Sequence, residues 1–287
     1  MSKTKQYLLA LVNRAGQLLP KRILRMLADS PPVFRIMHKL SRGEFREINL
    51  PEGYHIYINP LFHSNLVKTG DIRDYEPQLR EAIIQYCKPG MSAWDVGANV
   101  GVFTFLFASR VGNEGIVYAF EPEQNNLECL LRSIQHNQVN NIIPDRRAIS
   151  DSVDKQRFDR RGGAFSGRLI GTSENYRSTD NIETVETVSI DWLVREKVYR
   201  VPDIIKIDVE GNEFMVLNGM RSILRDWNPL ILCEIHTHLG DSSLEVFRLL
   251  QSHNYSITDI RGRPVDVLQP ASLRERHIIA SKQTARC

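Results

Sequence analysis

The sequence predicts an α/β fold: a mostly parallel, doubly wound sheet with helices on both faces, entered through a basic N-terminal helical segment. Three observations predict it. The stretch Trp94-Asp95-Val96-Gly97-Ala98-Asn99-Val100-Gly101 reads as a buried strand, a glycine-punctuated turn and a helix start. From there onward, short apolar runs alternate with amphipathic helical stretches, which implies parallel strands joined by crossover helices. Two of the apolar runs carry charge at their carboxyl ends, where open α/β sheets place their ligands.

Residues 5–40 show helical periodicity in Leu8, Leu11, Val12, Leu18, Leu19, Ile23, Leu24 and Leu27, broken at Pro20 and stopped by Pro31-Pro32. Residues 1–50 hold ten Lys or Arg against three acids, whereas the remaining chain carries 27 against 31. This extension either lies on an anionic surface such as a membrane through residues 1–40, or packs on the body with its charges in water. No specific nucleic acid is expected as a partner. The body, 51–287, is expected to form one domain. Gly53 to Pro60 alternates as a strand, and Asp74-Tyr75-Glu76-Pro77 opens a helix through Ile84.

After the turn Cys87-Lys88-Pro89-Gly90, Met91 to Val96 is the strand before the glycines. Val102, Phe103, Phe105, Leu106 and Val111 mark an apolar helical face beyond them. Ile116 to Phe120 is the next strand, followed by a helix over Glu123 to Asn137 and a strand over Ile142 to Ile149, ended by Ser150-Asp151. Residues 152–182, rich in Arg, Gly, Ser and Asp, are too polar for core and form an insertion hairpin or a flap over the site. Val185 to Ile190 is a strand, and Asp191-Trp192-Leu193 starts a short helix. Strands ending in Asp208-Val209-Glu210 and in Glu234-Ile235-His236 flank a helix over Glu213 to Leu224. A helix over Ser243 to Ser252 and strands near Ile257 and over His277 to Ala280 complete the alternation.

At 287 residues and 42% hydrophobic, the chain suffices for one large α/β domain with appendages. Its four cysteines (Cys87, Cys129, Cys233, Cys287) have no metal-ligand spacing and read as reduced thiols of a cytoplasmic protein. Residues 7–12 are too short an apolar run for a signal peptide, and no stretch approaches the roughly 20 apolar residues that span a bilayer. Cytoplasmic placement, peripheral to a membrane at most, is the expectation.

The glycine turn lacks the dinucleotide pattern G-x-G-x-x-G, because Asn99 and Val102 stand where its second and third glycines belong; this disfavours a nicotinamide dehydrogenase. Glu121 lies 20 residues past Gly101. That spacing puts a carboxylate at the end of the next strand, within reach of two ribose hydroxyls. At the other strand ends stand Asp208, Glu210, Glu234 and His236. Unpaired buried charge is costly, so these groups serve catalysis, hold a metal, or form an internal salt-bridge network with Lys206. Their spacing does not diagnose a metal, and none is assigned.

These segments resemble the FkbM family of S-adenosylmethionine-dependent methyltransferases. The resemblance runs through Tyr75-Glu76-Pro77, Lys88-Pro89-Gly90, WDVGANVG, Phe120-Glu121-Pro122, Ala148-Ile149-Ser150-Asp151, KIDVEGNEFMVLNGM and Glu234-Ile235-His236, about residues 53–240. It implies a Rossmann-like class I methyltransferase fold and methyl transfer to a hydroxyl of a sugar, glycan or secondary metabolite. It also implies that Asp95, Gly97, Asn99, Gly101 and Glu121 surround S-adenosylmethionine, with Asp151 near the adenine. Trp94 and Asn212 depart from the commoner pattern. In such an O-methyltransferase the base is Asp208 or His236, with Glu234 orienting His236 and Glu210 bonding the small-molecule or glycan acceptor. The contrasting reading is a non-catalytic nucleotide-binding scaffold that docks on a membrane or polyanion through its basic head.

Overall fold

The computed structural model describes residues 45–60, 62–63, 66, 71–160, 167–170, 182–236, 243–266 and 276–282. The basic helices expected within 5–40, Arg161-Gly162-Gly163 and Thr237-His238 lie outside the described residues.

An antiparallel pair, β1 (Arg46–Asn49) and β2 (His55–Ile58), precedes helix α1 (Pro77–Tyr86), so the end of the basic segment is a strand rather than a helix. The first half of the domain is β3 (Ser92–Val96), α2 (Val102–Val111), β4 (Ile116–Phe120), α3 (Gln124–Asn137) and β5 (Ile142–Asp145). Then come β6 (Ala148–Ile149), β7 (Asp154–Asp159), β8 (Arg168–Ile170), β9 (Ile182–Val188) and α4 (Ile190–Arg195). The second half is β10 (Ile204–Ile207), α5 (Glu213–Asn218), α6 (Arg221–Asp226), β11 (Leu230–Glu234), α7 (Ser243–Ser252), β12 (Ser256–Asp259) and β13 (His277–Ser281).

The seven-stranded central sheet runs β12-β13-β11-β10-β3-β4-β5. Strands β5, β4, β3, β10 and β11 are mutually parallel, while β13 is antiparallel to both of its neighbours. Strand order reverses between β3 and β10, which opens a crevice at their carboxyl ends. Alternation packs both faces. Ala93, Val117, Ala119 and Ile204 join the core under α1 to α3. Trp94, Val96, Tyr118, Phe120, Ile205 and Ile207 join the core under α4 to α7.

Two elements differ from the sequence expectation. The run Ile142 to Ile149 divides between two sheets: Asp145 Oδ1 accepts from the Arg147 N–H at 2.9 Å, turning the chain out of β5. The helix expected over Glu213 to Leu224 breaks at Gly219, where any Cβ would lie 2.1 Å from the Ser150 carbonyl oxygen. A new helix starts there because the Asp191 carboxylate accepts from the Ser222 and Ile223 N–H groups at 3.0 and 3.1 Å. From the polar stretch 152–182, β7 and β8 join β9 and β6 in a second, four-stranded sheet. Among the described residues no helix is long and apolar enough to cross a membrane.

Candidate active site

The glycine turn is fixed from beneath by a buried ion pair. Asp95 and Lys206 are opposite one another in the parallel β3–β10 register. Lys206 Nζ donates to Asp95 Oδ1 at 3.1 Å and to the Gly97 carbonyl at 3.0 Å, and Thr104 donates to Asp95 Oδ2 at 2.6 Å. Burial alone would pull the lysine down, but Asp95 and Asp208 outweigh it and hold the ammonium above its ordinary range. Gly97 adopts φ +81° and packs so tightly on β10 that a Cβ would lie 1.9 Å from the Asp208 carbonyl oxygen. Asn99 takes the left-handed conformation, φ 52°, that this side chain tolerates better than most, so it serves where a second glycine would otherwise stand. At Gly101, φ +96°, a Cβ would meet Leu130 at 2.7 Å.

Two cavities open at the strand ends. The first is lined by Glu121, Asn126, Ile149, Phe158 and Leu169, among others, so β7 and β8 contribute to its wall. Glu121 is 5% exposed; its Oε2 accepts from the Asn99 N–H and its Oε1 from the Glu123 N–H, both at 2.8 Å. Burial pushes this carboxyl up to about 8, against those two backbone bonds. The second cavity is lined by Tyr75, Glu76, Lys206, Glu234, His236 and Arg276, among others. Gly97, Asn99, Asp208 and Glu210 line both, so the two cavities meet at these four residues.

Of the residues singled out in the sequence, Gly97, Asn99, Glu121, Asp208, Glu210, Glu234 and His236 line these cavities. Asp95, Gly101 and Asp151 line neither. Asp95 lies under the turn, Gly101 packs on α3, and Asp151 accepts from Asn218 at 3.0 Å. Sequence reasoning missed Glu213, Glu76 and His277 at the acidic end, and Phe158 and Leu169 in the cavity that Glu121 lines. It also missed His63, fully buried behind Asn126 with its Nε2 2.9 Å from Asn126 Oδ1. Glu76 and Glu213 stand within segments that carry the family resemblance, whereas no local pattern marks the others.

At the acidic end, His236 Nδ1 donates to Glu213 Oε1 at 2.6 Å, while Nε2 stands 3.5 Å from both Glu210 and Glu234. The orienting carboxylate is therefore Glu213. Burial would lower the imidazole, but Glu213 and then Glu234 and Glu210 raise it to about 9, so it is an imidazolium at neutral pH. Burial, reinforced by Asp208, lifts Glu234 to about 8 and Glu76 to about 7. Burial also lifts Glu210 to about 7, against His236. Asp208 goes the other way: burial would raise it, yet Lys206 and His236 hold it below the usual carboxylate range. Burial drops His277 to about 4.

With this geometry in place, the family model described as the methyltransferase FkbM domain matches residues 95–257, from the β3 aspartate into β12. The chain belongs to the FkbM methyltransferase family. The chain is 30% identical over 163 residues to the hexuronic acid methyltransferase AglP of Haloferax volcanii, covering 57% of this chain and 62% of that one. It is 28% identical over 197 residues to the 31-O-demethyl-FK506 methyltransferase FkbM of Streptomyces tacrolimicus, covering 59% of this chain and 74% of that one. A solved FkbM methyltransferase from Methylobacillus flagellatus aligns over 76% of this chain and 52% of its own, with TM-score 0.45 and 14% identity; at that level it adds nothing to the assignment.

The donor set of the FkbM domain fits the family's cofactor. A buried carboxylate stands at the end of β4, accepting from the Asn99 and Glu123 N–H groups and from the Asn126 side chain. Phe158 and Leu169 offer apolar walls for a flat base, and the acidic junction at Asp208 and Glu210 suits a cationic sulfonium.

Proposed function

We propose that this protein is an S-adenosylmethionine-dependent O-methyltransferase acting on a hydroxyl of a sugar, glycan or secondary metabolite. The observation that carries the reading is the junction at Gly97, Asn99, Asp208 and Glu210, where a cavity suited to a nucleoside meets one lined with acids. The names of the two relatives, one acting on a hexuronic acid and one on a 31-O position, support an oxygen acceptor.

S-adenosylmethionine supplies an electrophilic methyl on sulfur. Glu121 accepts from the ribose hydroxyls, while Gly97, Asn99 and Gly101 shape the turn that approaches the cofactor. Asp95 acts through Lys206, which holds the Gly97 carbonyl, and Asp151 acts on the adenine side through the β6 end. The acceptor hydroxyl enters from the acidic cavity and must lose a proton. His236, already protonated, cannot take it. Asp208 is ionised but held below the ordinary range, which makes it a weak base. Glu210, at the junction and near 7, is matched to take a proton at neutral pH. His236 then stabilises the charge on Glu210, and Glu234 bonds the acceptor. Residues 1–40 make a peripheral contact with an anionic membrane surface, a reading that rests on their positive charge.

The test is methyl transfer from labelled donor to cell-extract glycans and small molecules, with S-adenosylhomocysteine affinity measured alongside. Glu210→Gln should lower turnover at least about 100-fold, or about 2.7 kcal/mol in barrier, with affinity for S-adenosylhomocysteine unchanged. Tight S-adenosylhomocysteine binding without a labelled product in any extract would favour the non-catalytic scaffold.

A further inference from the structure

We propose that Glu76, Glu234 and His277 form a binding site for one divalent transition-metal cation at the far wall of the acidic cavity. Three separate elements deliver the ligands. Glu234 ends β11 and His277 begins β13, directly opposite one another in the antiparallel register, so both side chains leave one face of the sheet. Glu76 precedes α1 at φ 46°, and its carboxylate makes no capping bond to that helix. One ligand atom from each lies within 4.8 Å of the other two.

The second, independent observation is what these atoms lack. Glu76 Oε2 and His277 Nε2 are both shut off from solvent, and neither has a hydrogen-bond partner. Leaving such atoms buried and unsatisfied is costly. Glu234, only 9% exposed, meets His236, Arg276 and His277 at 3.5–3.9 Å, beyond ordinary hydrogen-bond length. His277 Nε2 stands 3.6 Å from Glu76 Oε2 and 3.7 Å from Glu234 Oε2. Those spans are too long for hydrogen bonds. They match two ligands on one ion at about 2.1 Å each, with an angle near 120°.

Among the described residues, two other histidine-containing groups read differently. The group of Asp208, Glu234 and His236 shares Glu234, but its imidazole is already held by Glu213 at 2.6 Å. Glu47, His55 and His136 also lie within 4.8 Å of one another, but His55 Nδ1 already meets Asn49 at 2.8 Å and His136 Nδ1 meets the Tyr57 hydroxyl at 3.1 Å. A mixed nitrogen and oxygen set favours zinc or manganese over magnesium. Three protein ligands leave a coordination position toward the cavity, open to an acceptor oxygen. That last role rests on the methyl-transfer reading; the site itself does not.

The test is calorimetric titration of the full chain, stripped with chelator and dialysed, with zinc chloride and separately with magnesium chloride. The expected result is one zinc per chain, with magnesium at least tenfold weaker. His277→Gln and Glu76→Gln should each lower zinc affinity at least tenfold, while S-adenosylhomocysteine binding stays as in the parent and certifies the fold. No saturable zinc binding by the parent, or unchanged affinity in either variant, overturns the site. So does binding that is lost in His136→Ala. Intact zinc binding in a chain that fails to bind S-adenosylhomocysteine would instead sink the methyl-transfer reading and leave this site standing.

Discussion

At the scale of single residues, burial sets the chemistry more than identity does. Among the carboxylates that line the two cavities, Glu76, Glu121, Asp208, Glu210 and Glu234 have pKa values driven apart by what stands beside each. Glu121 gives the clearest consequence. With its pKa near 8, the folded protein holds a proton there at pH 7. Ribose hydroxyls donate most strongly to an ionised carboxylate, so ligand binding should pull this group down and expel the proton. Calorimetry with S-adenosylhomocysteine at pH 7, in two buffers of different ionisation enthalpy, should show release of about one proton. The release should fade above pH 9 and vanish in Glu121→Gln, whose affinity should fall about tenfold or more. Binding with no proton release by the parent chain would remove Glu121 from the ribose. The position of Glu121 was legible, because a fixed distance from a glycine turn survives in the sequence. The pairing of His236 with Glu213 was not, since 23 residues separate them and only the α5 start brings them together.

Elements were legible wherever periodicity and punctuation agreed. Helix α7 lies on the expected residues, and the β3 turn falls where its glycines stand. Misreadings arose where a single contact overrides a pattern, as Asp145 does in turning the chain out of β5 and Gly219 does against the Ser150 carbonyl. Gly97 shows the same force at the site. Its requirement arises from the backbone of β10, whereas the motif alone suggests the cofactor. Gly90 provides the comparison, having φ +82° with nothing within 4 Å of a Cβ. Gly90→Ala should cost about 1–2 kcal/mol for left-handed backbone alone. Gly97→Ala should cost at least about 1 kcal/mol more, because the β3 turn must move off β10. Urea unfolding of the two variants measures the difference, and equal losses would show that the turn gives way freely.

Across the whole molecule, alternation and strand-end charge made the sheet legible, whereas the second sheet was hidden. Strands β7 and β8 are drawn from a stretch whose polarity argued against any core; their buried hydrophobics are Phe158, Leu169 and Ile170, of which Phe158 and Leu169 share a small core with Ala148 of β6 and Val185 of β9. Charge also divides the chain: residues 1–50 carry ten basic against three acidic groups, and the remainder 27 against 31. The body carries net negative charge, so attraction to an anionic surface must come through the head. Basic residues near an anionic bilayer contribute on the order of 1 kcal/mol each, within about a Debye length. The full chain should therefore sediment with vesicles containing phosphatidylserine at low salt and be released as salt rises. Removal of residues 1–40 should abolish sedimentation while leaving S-adenosylhomocysteine binding intact. Neutral phosphatidylcholine vesicles should retain neither protein, because the interaction is with charge and not with apolar lipid. Equal partitioning of the full and shortened chains would assign the head to packing on the domain, with its positive charges in water.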